Sequence, residues 1–215
     1  LINRSDVQRL LPMPKAIDVL EAAFAELDAG SAEMPDRTVI VDPIVGGWIA
    51  YMPAYLKSGG ALGVKAVTVY KGNPEQFGLP TTIGTILVQD KQTGVVVAVM
   101  DGGLLTGIRT GAASGVATRH LARKDSKVAG VLGTGIMARG QILALIEAAD
   151  LDKISVYSRS DKSAQHFFAD EFSEITGVDI CVAASAEALV READIVTLIT
   201  SATEPIVSSS WWKPG

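Results

Sequence analysis

The first half of the chain combines one amphipathic helical segment with a series of short apolar runs. Apolar side chains recur at helical spacing at Ile17, Leu20, Phe24 and Leu27, and Gly30 ends that helix. The apolar runs that follow have the length of strands and are separated by turn residues. They are 39–42, 48–52, 62–70, 83–88 and 95–100, with a polar loop at 71–79 and a hairpin turn at 90–94. This pattern predicts an α+β domain.

The second half of the chain alternates buried strands with helices. Short apolar runs predict strands at 128–132, 154–157, 179–183 and 194–200, and helical patterns fill the intervals. Such alternation is typical of a parallel sheet with right-handed crossovers. The predicted fold class is therefore α/β: a Rossmann-type doubly wound parallel sheet at 119–215, preceded by a smaller α+β domain at 1–118. The chain begins with Leu and ends in a Pro-Gly pair that should lead into another strand, so we expect a longer protein.

One stretch, KVAGVLGTGIMARGQ at 127–141, carries most of the chemical information. A buried strand is followed by Gly133, Gly135 and Ala138 in a G-x-G-x-x-A pattern, and a helix then begins. Gly133 allows the sharp turn, Gly135 lets the backbone approach a pyrophosphate, and Ala138 permits close helix–strand packing. The helix N-terminus offers unpaired N–H groups to phosphates. We interpret the stretch as a dinucleotide-binding site; the alternative is a tight turn without a ligand.

The residues after the second strand of this half bear on the choice of dinucleotide. An NAD site usually has an Asp or Glu about 20 residues after the glycine pattern, and this carboxylate binds the ribose 2′-hydroxyl. Here that place holds Ser158, Arg159 and Ser160. A guanidinium and two hydroxyls suit a 2′-phosphate, which favours NADP(H). NAD(H) is the alternative, with Arg159 as a surface charge and Asp161 on the ribose.

Three further places combine polar side chains with apolar surroundings. Lys65 falls within an otherwise apolar run, so it is either an anion ligand or proton donor, or an edge-strand lysine that discourages aggregation. Thr106 is a candidate cap for a helix that runs through the small residues Ala112 to Ala117, which places Arg109 near the start of that helix. A cation there opposes the helix dipole unless an anion binds. The alternative for Arg109 is a surface side chain whose stem covers apolar area. Thr200 and Ser201 follow the carboxyl end of a strand, where doubly wound sheets bind ligands.

Composition excludes several classes of function. The net charge of −5 and the lack of a basic tract argue against nucleic acid binding. The single cysteine, Cys181, cannot form an intramolecular disulfide and fits a reducing compartment such as the cytoplasm. His120 and His166 lack Cys or acidic partners at ligand spacing, so we expect no metal site. No apolar stretch reaches the roughly 18 residues that a membrane span needs, so we expect no membrane partner.

A set of motifs extends over nearly the whole chain. They are MPDRT at 34–38, GVKAVT at 63–68, LPTTIGTILVQDKQTG at 79–94, LLTGIRTGAASGVATRHLA at 104–122, VLGTGIMARGQ at 131–141 and ATEPIV at 202–207. With these motifs the sequence resembles the ornithine cyclodeaminase/mu-crystallin family. The resemblance implies a homodimer of two-domain subunits, with a substrate and dimerisation domain at 1–118, an NAD(P)-binding domain at 119–215 and a C-terminal segment that returns to the first domain. It also implies hydride transfer between NAD(P)(H) and a small amino or imino acid.

Carried over by position, the resemblance assigns roles to individual residues. Arg37, Lys65 and Arg109 match the family residues that hold the substrate carboxylate. Lys65 and Arg109 are the catalytic candidates, with Lys65 as the candidate general acid or base at the substrate nitrogen. Thr81 matches a further substrate-binding position. The implied cofactor-binding residues are Thr110, Gly133, Thr134, Gly135, Ile136, Met137, Ser158, Arg159, Ser160, Thr200 and Ser201. We expect the three cations to converge on one carboxylate beside the nicotinamide.

Two departures from the family pattern narrow the expected function. Ornithine-specific members place a Glu two residues before a Met-Pro pair, whereas this chain has Ala50 before Met52 and Pro53, which disfavours ornithine. The family's catalytic Asp falls beyond residue 215. The expected activity is NADP(H)-dependent reduction of a small imino acid such as pyrroline-2-carboxylate, with ornithine cyclodeamination and alanine dehydrogenation as alternatives. The alternative of another class is a non-catalytic, NADPH-dependent small-molecule binding protein, which three clustered cations disfavour.

Overall fold

The computed structural model describes residues 1–159 and 162–214, apart from the side chains of 162–164 and 167. Within it the chain forms two compact units. The antiparallel unit comprises Leu1–Pro12 and Val19–Thr106, and the parallel unit comprises Met13–Asp18 and Gly107–Gly215. None of the helices in the described residues is both long and apolar enough to span a lipid bilayer.

The antiparallel unit is built on one sheet of six strands. Its elements are α1 (Arg4–Leu10), α2 (Met13–Asp28, which begins in the other unit), β1 (Ala32–Glu33), β2 (Thr38–Asp42), β3 (Gly47–Leu56), β4 (Ala61–Val69), α3 (Asn73–Phe77), β5 (Thr82–Gln89) and β6 (Val96–Asp101). The strand order is β1-β3-β4-β5-β6, and β2 also pairs with β3. All these pairings are antiparallel. Consequently β4 is a central strand, flanked by β3 and β5.

Local chemistry explains the ends of these elements and two differences from the predicted ones. Asn3 caps α1 through a capping box. The segment 71–79, predicted as a loop, contains the short helix α3, which ends at Gly78 in the left-handed conformation. The strand predicted at 48–52 continues to Leu56, because β4 pairs with it along that length.

The parallel unit is a four-stranded sheet with helices between its strands. Its elements are α4 (Gly102–Leu121, which begins in the other unit), β7 (Val128–Leu132), α5 (Ile136–Ala148), β8 (Lys153–Tyr157), α6 (Lys162–Thr176), β9 (Asp179–Val182), α7 (Ala186–Glu192) and β10 (Ile195–Leu198), followed by a 3₁₀ turn at Ser209–Trp211. The strand order is β10-β7-β8-β9 and every pairing is parallel, which confirms the predicted α/β class. The order reverses between β7 and β10, and open α/β sheets bind ligands at the strand ends beside such a reversal.

The core of the parallel unit lies between this sheet and two of its helices. Fully or almost fully buried apolar side chains come from β7 and β8, from α5 and from α6. They include Ala129, Val131, Ile154 and Val156 of the strands, Ala138, Ile142 and Leu145 of α5, and Phe168 and Phe172 of α6. Because Ala138 has only a methyl group, α5 can lie close against β7, as its place in the fingerprint predicts.

Candidate cofactor and substrate site

The turn after β7 is shaped by two glycines that meet different constraints. Gly133 has φ of +119°, and a Cβ at that position would lie 2.2 Å from the carbonyl oxygen of Ile199. Any side chain there would require the backbone to rearrange. Gly135 has ordinary extended dihedral angles, and no described atom lies within 4 Å of the place where its Cβ would stand. The first glycine thus lets two strand ends approach each other, and the second leaves open space in front of the turn.

Helix α5 begins at Ile136, directly after this turn. Among the described residues no side chain caps its N-terminus, so N–H groups of its first turn are available to a ligand. The aligned peptide dipoles add partial positive charge at the same place. Open space, free donors and positive potential together make a site for an anion of the size of a pyrophosphate.

A cavity of about 690 Å³ opens at this turn. It is lined by segments 132–137, 157–159 and 199–202, with Ala186 and Ile206. These segments follow the carboxyl ends of β7, β8 and β10, where the strand order predicts a ligand. The volume falls within the range of roughly 300–1,000 Å³ typical of small-molecule sites.

The loop after β8 forms one wall of the cavity. The backbone N–H of Ser158 donates to Oε1 of Gln165, a residue of α6 that is only 2% exposed. This bond holds the loop in place, and Arg159 extends from it into solvent beside the cavity. Ser160, predicted to bind the cofactor, and Asp161, the alternative ribose ligand, lie outside the described residues. The positions of Ser158 and Arg159 are compatible with contact to a ribose, and that contact stays a prediction.

The carboxyl end of β10 forms the opposite wall. The backbone N–H of Ile199 donates to the last carbonyl of β7 at 2.9 Å, and that of Gly133 donates to the carbonyl of Tyr157 at 2.8 Å. Three strand ends are therefore tied together around the glycine turn. Thr200 and Ser201 follow directly and line the cavity, so their hydroxyls are placed within reach of its contents.

Helix α4 begins five residues earlier than predicted. Asp101, the last residue of β6, accepts a hydrogen bond from the backbone N–H of Leu104 at 2.8 Å and thereby caps the helix. Gly102 permits this start, because a Cβ there would lie 2.8 Å from the backbone of Gly84 on β5. The prediction that Thr106 caps this helix was wrong, since the carboxylate and the close-packed glycine already start it at the end of the strand.

Arg109 consequently lies seven residues after the start of α4 rather than at its N-terminus. The helix dipole acts mainly within the first turn, so the conflict that favoured an anion at Arg109 does not apply. The residue is exposed, but the surrounding protein removes enough water to lower the pKa of its guanidinium below the ordinary value. The group stays protonated at neutral pH. Its predicted role as a carboxylate ligand, and that of Thr110 as a cofactor ligand, therefore rest on the family motif.

Lys65 lies half-buried in the middle of β4. It pairs with Met52 of β3 on one side and with Ile86 of β5 on the other. The alternative that Lys65 is an edge-strand lysine was wrong, because β4 is flanked on both sides. The other interpretation of Lys65, as an anion ligand or proton donor, stays a prediction.

Arg37 and Lys65 are related through the register of β2, β3 and β4. Arg37 is exposed and immediately precedes β2, whose first residue Thr38 pairs with Tyr51. Continued by one residue, the same register sets Arg37 opposite Met52, which itself pairs with Lys65. Two strand spacings separate the two cations, or about 10 Å between backbones, which two long side chains can span. Arg109 belongs to the parallel unit, so the convergence of all three cations stays a prediction.

Two smaller residues complete the predicted substrate side. Ala50 lies on the same strand as Met52, two residues earlier and hence on the same face, and is 1% exposed. A buried methyl group there offers nothing to a distal amine. Thr81 is half-buried just before β5, and its carbonyl accepts the backbone N–H of Tyr70 at 2.8 Å. Its proposed contact with substrate stays a prediction.

The whole chain, residues 1–215, matches the sequence model of a single protein family. The chain belongs to the ornithine cyclodeaminase/mu-crystallin family. This confirms the resemblance inferred from the motifs.

Individual members of the family are similar to the chain in sequence and in fold. A Δ1-pyrroline-2-carboxylate reductase of Bacillus cereus is 34% identical over 213 residues, or 99% of this chain and 65% of the relative. The structure of a Thermococcus litoralis Δ1-pyrroline-2-carboxylate reductase in complex with NADH and L-proline is 43% identical, with a TM-score of 0.91 over 98% of this chain and 65% of that one. An archaeal alanine dehydrogenase dimer with bound NAD is 33% identical, with a TM-score of 0.90 over 98% and 63%. The chain thus spans slightly less than two thirds of the length of these family members.

The structure adds residues to the candidate site that sequence reasoning missed. Tyr157, Ala186 and Ile206 line the cavity, and Gln165 anchors one of its walls. The rule that ligands bind at the carboxyl ends of strands could have identified Tyr157, the last residue of β8. Ile206 lies in the family motif at 202–207, to which the resemblance assigns no role. No local pattern points to Gln165.

Proposed function

We propose that the protein is an NAD(P)H-dependent reductase of a small imino acid, acting at its C–N bond. The observation that carries the proposal is the glycine turn before α5, where open space, uncapped N–H groups and a cavity meet at the reversal point of a parallel sheet. These residues fit a dinucleotide pyrophosphate. The Thermococcus litoralis relative, bound to NADH and L-proline, supports this cofactor class and a cyclic imino acid. When bound, the nicotinamide supplies the hydride.

On the substrate side, the proposal assigns the carboxylate to Arg37, Lys65 and Arg109. The support is that extending the register of β2 by one residue sets Arg37 in the row of Lys65, and charge-assisted hydrogen bonds from several cations orient a carboxylate strongly. Lys65 is the proposed proton donor to the substrate nitrogen. The buried methyl group of Ala50 leaves no acidic partner for a second amine, which favours an imino acid over ornithine. In this assignment the antiparallel unit binds substrate and the parallel unit binds cofactor.

The test is to compare three reactions of the intact protein. Oxidation of NADPH or NADH is followed with pyrroline-2-carboxylate and with pyruvate plus ammonia. Release of ammonia is followed with ornithine and NAD(P)⁺, because conversion of ornithine to proline and ammonia leaves no net change in the cofactor. We expect the highest kcat/KM with pyrroline-2-carboxylate. Faster turnover of pyruvate with ammonia would identify an alanine dehydrogenase instead. Tight cofactor binding without turnover of any of the three would favour a binding protein.

Within this function we propose that NADP(H) is preferred. The support is Arg159, an exposed guanidinium at the cavity wall where the ribose is expected. Wild-type protein should bind NADPH more tightly than NADH, and Arg159→Ala should weaken NADPH by about 10-fold with little effect on NADH. Fluorescence titration measures both affinities, with Arg9→Ala, a surface arginine of the other unit, as the control. Equal affinities, or tighter NADH, would contradict the preference.

We also propose that the protein is a homodimer that pairs through the antiparallel sheet. β2 pairs with β3 on one side, and no described strand lies on its other side. Its side chains Val39, Ile40 and Val41 are 48%, 56% and 65% exposed, and an apolar edge of this kind is rarely left uncovered. The dimeric alanine dehydrogenase relative supports a second copy as the cover. Light scattering should give a dimer mass for the wild type and a lower mass for Ile40→Lys. The control Val19→Lys on α2 should keep the dimer mass. A monomeric wild type would refute the proposal.

A further inference from the structure

Helices α4 and α5 approach each other more closely than side chains would allow. A Cβ on Gly111 would lie 2.1 Å from the carbonyl oxygen of Gly140, and a Cβ on Gly140 would lie 2.5 Å from the carbonyl oxygen of Gly107. Both opposing atoms belong to the backbone, which cannot rotate away as a flexible side chain does. The contact continues at Gly115, where a Cβ would meet the side chain of Ile17 at 2.8 Å. We call these four glycines the glycine crossing.

The glycine crossing lies one helical turn behind the candidate cofactor site. Gly140 follows Ile136, the first residue of α5, by four residues, which is about 6 Å along the helix axis. On α4, Gly107, Gly111 and Gly115 are spaced by four residues and form one ridge along the helix. The ridge therefore packs on the first turns of α5, the helix whose uncapped end faces the cavity. Backbone contacts alone set the separation of the two helices at this point.

Two residues assigned to ligand binding lie on α4 between members of this ridge. Arg109 and Thr110 fall between Gly107 and Gly111 in the sequence. At 3.6 residues per turn, Arg109 projects about 160° away from the centre of the ridge, and Thr110 about 100° away. Both side chains are carried by the helix whose separation from α5 the crossing fixes. Any displacement of α4 from α5 therefore moves both relative to the turn at 133–137.

We propose that Gly111 and Gly140 are positioning residues for the reaction, an inference that rests on the proposed function. They hold α4 at a fixed distance from the phosphate-binding turn and so hold Arg109 in place for the substrate carboxylate. A methyl group at either position must push the backbones apart by roughly 1 Å to reach ordinary contact distance. A misplacement of that size in a group that orients the substrate costs about 100-fold in rate. The turn itself stands on α5 and keeps its contacts to the pyrophosphate, so loss of the one contact assigned to Thr110 should weaken cofactor binding by no more than about 3-fold.

The test compares glycine-to-alanine variants of the intact protein by kinetics with pyrroline-2-carboxylate and by titration with NADH. Gly140→Ala should lower kcat/KM by about 100-fold while the Kd for NADH changes less than about 3-fold. Gly115→Ala should lower it only a few-fold, because the opposing Ile17 side chain can give way. Gly103→Ala is the matched control on the same helix, since its nearest neighbour is a carboxylate oxygen of Asp101 at 3.7 Å. It should leave both quantities unchanged.

Several outcomes would overturn the inference. A folded Gly140→Ala with wild-type kcat/KM would do so, as would a parallel loss of turnover and NADH affinity, because the crossing would then support the turn itself. Gly111 has the closest contact, so Gly111→Ala is the variant most at risk of failing to fold. In that case the losses of kcat/KM in Gly140→Ala and Gly115→Ala are compared. A larger loss for Gly115→Ala overturns the inference.

A crystal structure of Gly140→Ala with NADH tests the inference without activity. A shift of α4 by about 1 Å away from α5, with the turn at 133–137 in place, supports it. An unmoved α4 overturns it. If the wild-type protein reduces no imino acid, the proposed function fails, and this structural measurement alone decides whether the crossing positions α4.

Discussion

The two units of the molecule build their candidate sites in opposite ways. In the parallel unit the site consists mainly of backbone: N–H groups of α5, a glycine that fits against the carbonyl of Ile199, and three strand ends joined by hydrogen bonds. In the antiparallel unit it consists of side chains, with Lys65 on a central strand and Arg37 at a neighbouring register position. The first arrangement depends on the absence of side chains at the glycine positions. The second depends on the presence of particular charged side chains.

This difference decides how each site responds to substitution. A backbone site fails when a Cβ is added where none fits, because the chain must move to accommodate it. A side-chain site fails when one charged group is removed, while the backbone around it stays as it was. Loss of stability should therefore accompany loss of function where an added Cβ meets backbone, as at Gly133, and be separable from it in the antiparallel unit.

The largest effect is expected for Gly133→Ala. Its φ of +119° and the carbonyl at 2.2 Å exclude a methyl group, so the turn must open. We expect NADH affinity to fall by at least about 100-fold and the free energy of unfolding to fall by about 3 kcal/mol or more. Fluorescence titration and thermal unfolding measure the two quantities.

Gly135→Ala is the matched variant for this prediction. Its Cβ meets no described atom, and its backbone dihedral angles are ordinary for any residue. We expect an unchanged melting temperature together with a loss of NADH affinity of about 10-fold or more, because the methyl group occupies the approach to the pyrophosphate. Equal affinities for NADH in wild type and Gly135→Ala would mean that the ligand does not approach this turn.

The same contrast between a backbone site and a side-chain site explains which features could be predicted from the sequence. The backbone site is local: Gly133, Gly135 and Ala138 lie within six consecutive residues, and the physical reason for each is contained in that stretch. The parallel sheet was predictable for a similar reason, since each strand is a short apolar run followed by a helical pattern. The residues that hold the site from outside, such as Gln165 and the carbonyl of Ile199, were not predictable, because their contacts join distant parts of the chain.

The antiparallel unit shows which features local sequence patterns could not predict. Whether Lys65 lies on an edge or in the centre depends on strand order, which apolar runs do not encode. The start of α4 was missed for a related reason. Asp101 caps the helix from the end of a strand, and Gly102 is tolerated because Gly84 packs against it from another strand. Propensity alone favours Thr106 as a cap and a later start.

In the antiparallel unit, Lys65→Met should affect turnover without an accompanying loss of stability. If Lys65 holds the carboxylate or donates a proton, turnover should fall by about 100- to 1,000-fold. NADH affinity and the melting temperature should stay close to wild type, because the central strand keeps an unbranched side chain of similar length. Steady-state kinetics and NADH titration measure this separation. Lys57→Met is the control, since Lys57 forms an exposed ion pair with Glu33 and should affect neither quantity.

A smaller effect is expected at the amino end of the parallel sheet. Asp194 accepts hydrogen bonds from the backbone N–H groups of Lys127 and Val128, both at 3.0 Å, and these bonds lower its pKa from 3.8 to about 2. A folded-state pKa below the unfolded value contributes stability that is present above about pH 4 and lost as the pH falls toward 2. Asp194→Asn should therefore cost roughly 2 kcal/mol at neutral pH.

Urea denaturation of both proteins between pH 7 and pH 2 checks this prediction. The difference in the free energy of unfolding should be constant down to about pH 4 and then shrink. NADH affinity at neutral pH should be unchanged, because Asp194 lies before β10 whereas the cavity follows its carboxyl end. A difference that does not depend on pH would show that these hydrogen bonds stabilise the fold equally well with a neutral carboxyl group.

The smallest effect is expected for Glu26→Gln, the counterpart of Asp194 in the antiparallel unit. Glu26 of α2 accepts the backbone N–H groups of Ser58 and Gly59 at 3.2 and 3.1 Å, so it too ties a turn of the sheet with one carboxylate. These bonds are exposed, whereas those of Asp194 are partly buried and joined by Lys213 at 3.2 Å. Water competes for exposed hydrogen bonds, and the glutamine keeps an acceptor, so the cost should be only about 0.5–1 kcal/mol. Urea denaturation of the two variants under the same conditions compares them directly. An equal loss in the free energy of unfolding for Glu26→Gln and Asp194→Asn would mean that burial does not set the strength of these two otherwise similar contacts.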